Sequence, residues 1–284
     1  MQKFNRNYLM SIQVDDDNRI EFGLPFSIEF QITRNTLASA NTGKFKIYNL
    51  QEDKREQIYK DQYDTLNIKL IELKAGYGND LSTIFKGWIK RAYSEHNGTN
   101  NITTIEAYDG GVAFISGQTS NTFNADTPKN DVLNSLVKSL PGVSIGAIGN
   151  FEGKLSRGNS YFGNTANLLS EITNGGFYVD NNKTYCLNKN ECIEGNIQVI
   201  TSESGLLEAP IREEQNITCK IIFEPRLLVG QIIELKSSIN PRFNGQYKVI
   251  GFNHNGTISP AVNGQCMTKV NLYYGTALTK LLAK

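Results

Sequence analysis

The sequence predicts a mostly β chain of the α+β class, with a small α/β module between two β-rich segments. Three observations carry this. Residues 26–50, FSIEFQITRNTLASANTGKFKIYNL, alternate: Phe26, Ile28, Phe30 and Ile32 point one way, and Phe45, Ile47 and Tyr48 resume the pattern after a polar turn. That period of two is the signature of strands buried on one face. AGYGNDLSTIFKGWI at 75–89 sets a Gly-Tyr-Gly-Asn-Asp turn before another strand, Ile84 to Ile89. Residues 128–140 and 165–173 instead carry apolar residues at helical spacing.

The elements follow in order. A strand at 8–14, a turn at Asp15-Asp16-Asp17-Asn18 and a returning strand at 19–22 open the chain. Leu24-Pro25 then breaks the ladder, because proline has no N–H to donate. Strands at 26–33 and 43–48 precede the one helix candidate of this segment, 51–60, with Gln51 or Asn49 near its start. Strands at 65–75, 83–94 and 101–109 complete a first domain, 1–115, the last two joined as a hairpin through 95–100. One helix among six or seven strands fits a small β-barrel or sandwich.

Residues 116–200 change character. Asp126 or Thr127 is placed to cap a helix with Pro128 in its first turn, and Val132, Leu133, Leu136, Val137 and Leu140 form its apolar face. Pro141-Gly142 ends it. A second helix over 165–173 has Asn164 as its cap and Gly175-Gly176 as its stop. A hairpin follows, 177–179 against 183–187, around Asp180-Asn181-Asn182. Residues 201–284 return to β, with strands at 217–222, 232–236, 246–250 and 267–273 and a tail, 276–284, read as a short helix or disordered.

The order of these pieces resembles the baseplate hub proteins of tailed bacteriophages and related contractile machines. An "N…I.IYNL" segment is met by Asn41, Ile47, Tyr48, Asn49 and Leu50, and a short helix comes next. An "AGY…IF.G.I" strand pair is met by Ala75, Gly76, Tyr77, Ile84, Phe85, Gly87 and Ile89. SGLLEAP at 204–210 and NGQYKVIGFNHNGT at 244–257 look like the last barrel of the same hubs. The resemblance implies two tail-tube-like β-barrels, 1–115 and 201–284, flanking an α/β insertion at 116–200 similar to the LysM fold. It implies a structural virion protein: a homotrimeric ring joining the tail tube to the central spike. Its implied partners are tail tube or distal tail proteins, the spike protein and other baseplate proteins. DNA would only pass through. Two alternatives stay open: a cell-wall-binding protein whose LysM-like module holds peptidoglycan, and a hub with associated wall-degrading hydrolase activity.

The residues themselves offer little chemistry. Net charge is +1, which argues against a strongly basic nucleic-acid binder. No run of 18 apolar residues suggests a membrane helix, and the N-terminus has no apolar signal region. The chain is therefore expected in its producer's cytoplasm until assembled into the virion. Cys186, Cys192, Cys219 and Cys266 form no C-x-x-C pair, and the histidines are only His96 and His254, so no zinc site is expected. Cys186 and Cys192 could meet across a hairpin, but buried thiols suit a reducing compartment. Counted from Asp15 as a calcium loop, the sixth residue is Ile20 and the twelfth Phe26, so that pattern fails. No P-loop is present.

Gly142-Val143-Ser144-Ile145-Gly146 matches G-x-S-x-G, with His254 as the available base. A nucleophile elbow lies between a strand and a following helix, however, and here a helix precedes. Glu203 with Glu208, or Glu213-Glu214, could form a carboxylate pair, but a solvated or salt-bridged role is the default. Trp88, the only tryptophan, reads as core or subunit interface. The expectation is a non-enzyme with no catalytic, cofactor or metal residues.

Overall fold

The computed structural model describes residues 5–15, 18–64, 67–260, 264–274 and 279–281, with backbone alone at 194–196 and 279–281. The first segment forms β1 (Arg6–Gln13), β2 (Arg19–Gly23), β3 (Ile28–Asn35), β4 (Asn41–Tyr48), α1 (Glu52–Ile58), β5 (Leu70–Tyr77), β6 (Asp80–Asn97) and β7 (Asn100–Asp109). The alternation is realised side chain by side chain. Ile28, Phe30, Ile32, Phe45 and Ile47 are buried, while Gln31 and Lys44 face water. Tyr48 departs from the expected phase. It lies on the opposite face and donates its hydroxyl to Glu29 Oε1 at 2.6 Å. Asp16, Asp17, Thr65 and Leu66 lie outside the described residues.

The middle of the chain forms α2 (Gly111–Ser116), β8 (Gln118–Phe123), α3 (Lys129–Lys138), β9 (Ser144–Ile148), β10 (Asn159–Asn164), α4 (Thr165–Ile172), β11 (Phe177–Asp180) and β12 (Lys183–Cys186). Both expected helices are present, but α3 starts differently. Pro128 is its N-cap, Asp126 takes φ 64°, and the Thr127 hydroxyl turns back to the Asn124 carbonyl at 2.8 Å, so neither side chain caps it. Asn164 caps α4 as expected, accepting from the Asn167 N–H at 3.1 Å. Strands β11, β12 and β9 make a three-stranded sheet with β9 parallel to β12, and β8 and β10 pair as a separate ribbon. Val132, Leu133, Leu136, Leu169, Phe177 and Val179 form the core of this region.

The last segment forms β13 (Glu191–Thr201), β14 (Ile211–Glu213), β15 (Asn216–Ile222), β16 (Gln231–Lys236), β17 (Gly245–Ile258), β18 (Cys266–Tyr273) and β19 (Thr279–Leu281). The tail departs from the short helix or disorder that its sequence suggests. Residues 279–281 instead pair with β13 as a strand, and the rest of the tail lies outside the described residues.

The strands do not fall into two separate barrels. They form one path, β14-β15-β18-β17-β3-β4-β7-β6-β5-β1-β2, and no pairing among the described residues closes it. The join is β3 with β17, from Ile28↔Ile258 to Asn35↔Gly251. The first part of β17 pairs instead with β16, from Lys248↔Ile232 to Gly245↔Leu235. The cores interlock accordingly: Phe223 and Ile258 of the last segment pack among Phe30, Phe45 and Phe85. The Tyr77 hydroxyl donates across the same boundary to the Phe223 carbonyl at 2.8 Å.

Two glycines of the hub-like motif are required by close approach. A Cβ at Gly76 would sit 1.9 Å from the Asp80 carbonyl oxygen, and one at Gly87 would sit 2.5 Å from that of Tyr108. Backbone cannot yield as a flexible side chain does. Gly87→Ala should therefore destabilise the fold by ~1–3 kcal/mol, the usual cost of overpacking, read as a lower urea midpoint at unchanged slope.

Candidate functional site: a polar sheet face over a buried ionic junction

Residues directly opposite one another in adjacent strands share a face. One row therefore runs Ile222–Met267–Asn255–Gln31–Lys44–Glu106–Arg91 across β15, β18, β17, β3, β4, β7 and β6. The neighbouring row runs Lys220–Lys269–Asn253–Thr33–Thr42–Tyr108–Trp88. The result is a broad, mainly polar surface drawn from both β-rich segments. Lys44 and Glu106 pair across it at 3.3 Å. At its centre Glu29, Gln31, Lys46 and Asn255 line an open hollow of about 580 Å³.

The opposite face of β3, β4 and β7 ends in polar residues where the apolar phase would continue. Arg34 follows Ile28, Phe30 and Ile32, Asn41 precedes Gly43 and Phe45, and Asp109 follows Ile105 and Ala107. All three are buried, and they meet the β11–β12 turn. Arg34 is 1% exposed and Asp180 4%. The guanidinium donates Nε to Asp180 Oδ1 at 2.6 Å and Nη2 to Oδ2, a bidentate pair, and Nη1 reaches the Ile84 carbonyl at 3.2 Å. Its carbon lies 5.3 Å from the centre of the Phe252 ring. Asn41 donates Nδ2 to the Val179 carbonyl at 2.9 Å.

Asp109 accepts the successive backbone N–H groups of Asn181 and Asn182, the latter at 2.8 Å. Those two residues take φ 52° and 57°, a left-handed turn that asparagine tolerates. Burial would depress the Arg34 guanidinium, but Asp180 holds it protonated, above its ordinary value. Burial, reinforced by Asp180, pushes the Asp109 carboxyl up to about 7 despite its two backbone donors and Arg34. Sequence reasoning missed this junction. Its signal was polar residues standing in the apolar phase of three adjacent strands.

The sequence-level candidates do not assemble into a catalytic set. Ser144 begins β9, with its N–H bonded to the Asn182 carbonyl at 2.9 Å and its carbonyl to Thr184 Oγ1 at 3.1 Å, so G-x-S-x-G leads into a strand and no helix follows. His254 belongs to the large sheet, fully buried against Phe223 and Phe252, with Nδ1 2.7 Å from Thr268 Oγ1. Burial, then the Arg34 charge, pushes its pKa down to about 3. No hydrogen bond joins the two among the described residues.

Glu208 pairs with Lys220 at 2.9 Å, and Glu203, Glu213 and Glu214 are exposed. His96 lies at the β6–β7 tip beside Asn101. Trp88 is half-buried in an apolar cleft with Ile68, Val112 and Ile115. None of the four cysteines is in a disulfide, and burial pushes the Cys186 and Cys219 thiols up to about 12. Among the described residues no cluster of three His, Cys, Asp or Glu could hold a metal.

The fold is that of phage tail proteins. A 43 kDa tail protein of prophage MuSo2 from Shewanella oneidensis superposes with a TM-score of 0.62 at 6% identity, over 94% of this chain and 96% of that one. A tail protein from Neisseria meningitidis MC58 gives 0.56 at 9%, over 94% and 96%. The E. coli c3393 protein, a component of the type VI secretion system, gives 0.52 at 7%, over 89% and 74%. No protein of curated function matches in sequence. The model of the family Baseplate hub gp41 matches residues 10–255, and the chain belongs to that family. It is a structural protein of the bacteriophage tail baseplate.

Two predictions follow from the junction. Arg34→Met leaves Asp180 buried without its partner and should cost ~3–5 kcal/mol, measured by chemical denaturation. Asp109 binds its proton more tightly folded than unfolded. Its contribution to stability is therefore full below its ordinary value near 3.8 and lost as pH rises through about 7. Carboxyl ¹³C titration should place its midpoint near 7, and Asp109→Asn should remove this group's part of the stability slope between those limits.

Proposed function

We propose that the chain is a ring-forming hub: three copies close head to tail around a channel and join the tail tube to the central spike. The observation that carries this is the polar face shared by both β-rich segments. In a monomer such a face needs no partner, but its seven strands suit the wall of a water-filled passage. Strands lie about 4.8 Å apart, so three such faces, with strands along the axis, give a perimeter of about 100 Å and a channel roughly 30 Å across. Genome or a tape-measure protein would pass through it.

The chain then reads as a first tube-type unit at 1–115, an α/β module of LysM-like character at 116–200 and a second tube-type unit at 201–284, the two units joined through β3 and β17. Three copies present six similar units to a sixfold tube and three to a threefold spike. The module belongs outside the ring, because Arg34, Asn41 and Asp109 hold its turn on the side of the sheet opposite Gln31 and Lys44. We assign the chain no catalytic role: its one G-x-S-x-G serine and its buried histidine are not joined. Cryo-electron microscopy of the assembled baseplate, or of a complex co-expressed with tube and spike, tests the proposal. Three copies with Gln31 and Lys44 toward the channel are expected. Two or six copies, or a channel lined by the α/β module, would overturn it.

A further inference from the structure

Among the described residues three lysines send their ammonium groups to backbone carbonyls while largely buried, and one of them is poorly served. Lys69 donates to Gln57 O at 2.6 Å and Tyr59 O at 2.8 Å. Lys60 donates to Asp64 O at 2.7 Å and also to Asn67 O. Lys248 is 5% exposed, and its two contacts, to Asn188 O and Lys189 O, are both 3.4 Å long. An ammonium has three donors, and a buried one needs them met. No carboxylate oxygen lies within 4.0 Å of Lys248 among the described residues. The nearby carboxylate of Glu191 is committed elsewhere, accepting from the N–H groups of Asn150 at 2.9 Å and Asn188 at 2.7 Å. Burial draws the Lys248 pKa down, and the Cys192 and Glu191 charges only partly restore it.

Lys248 lines a cleft of about 490 Å³ between the Gly175–Gly176 turn, the Asn188–Lys189 turn and the ends of β17 and β18. The α4 end beside it does not compete for the ammonium, because N–H groups of Thr173 and Gly175 close the carbonyls of Leu169 and Ser170 at 3.0 and 2.8 Å. Lys189 stands at the cleft as a second cation, its Nζ 5.1 Å from the centre of the Tyr273 ring. The remaining wall is neutral, with Leu187, Ile250 and Tyr178.

We propose that this cleft binds a carboxylate, with Lys248 as its ion-pairing residue, and that the ligand is an aspartate or glutamate side chain of a partner protein. The volume suits one side chain with a short stretch of backbone. A nucleic-acid backbone would call for several cations in a row, and the cleft has one buried lysine and one beside it. The inference does not depend on the ring, since the cleft is complete within one chain.

The test uses the full chain and N-acetylglutamate N-methylamide as probe, with N-acetylglutamine N-methylamide and inorganic phosphate as controls. Backbone amide shifts of Gly175, Gly176, Asn188 and Lys189 should move saturably with the glutamate probe and not with the glutamine one. The affinity should fall at least ~10-fold in Lys248→Met, as loss of a charge-assisted hydrogen bond requires, and less in Lys189→Met. In the unmodified protein the same probe should raise the Lys248 titration midpoint, read at ¹³Cε, which keeps the test open if Lys248→Met fails to fold. Equal response to the glutamine probe, tighter binding of phosphate, an unmoved Lys248 midpoint, or full binding by folded Lys248→Met would each overturn the proposal.

Discussion

A single guanidinium, shut off from water, touches all three parts of this chain. Arg34 grips Asp180 at the tip of the α/β hairpin, the Ile84 carbonyl in the first β segment and the Phe252 ring in the last. Such a buried pair adds little net stability over a well-packed apolar replacement, because both charges lose their hydration. What it does impose is geometry. A bidentate guanidinium–carboxylate pair is satisfied in one relative orientation, and any slippage of the hairpin leaves two charges unmet in a dry interior. Asn41 and Asp109 add two further holds on the same turn, an amide donor and a carboxyl acceptor. The module is thus seated by polar groups at its tip and by apolar contact behind it, where Tyr178 packs with Val229 and Leu227.

Much of the local structure was legible because it is encoded locally. The alternation in β3 and β4, the apolar stripe of α3, the Asn164 cap and the Gly175 stop each depend on residues within a turn or two of one another. The Asp180-Asn181-Asn182 turn was legible for the same reason. Strands β8 and β10 were not. QTSNTF and NSYFGN have no apolar alternation, since their ribbon buries little beyond Thr119. The joining of β3 to β17 was also invisible, because residues more than 200 positions apart leave no mark in a local pattern. Both segments read correctly as β, yet nothing in either says that its neighbour is the other.

The junction was hidden for a different reason. Arg34, Asn41 and Asp109 each stand at a strand end, where a polar residue is ordinary and draws no attention. Only when the three ends lie side by side does the coincidence become an ionic site. Ser144 and His254 show the converse. They had a motif to recommend them, and the fold places the serine at a strand start and the imidazole in an aromatic core, neutral at any physiological pH. Motif and site part company when the tertiary arrangement, rather than the spacing, determines which groups meet.

β17 has a mechanical consequence. It serves two neighbours along one edge, β16 with its first residues and β3 with its last, and the bulge between Val249 and Gly251 marks the changeover. β18 runs along its other edge. Drawing the two β segments apart along the strand direction loads all eight register pairs of β3 and β17 together, in shear. Drawing them apart sideways opens the same pairs one after another, as a zipper does. A chain joined this way is stiff to axial pull and compliant to lateral opening, and that anisotropy follows from one strand belonging to both halves.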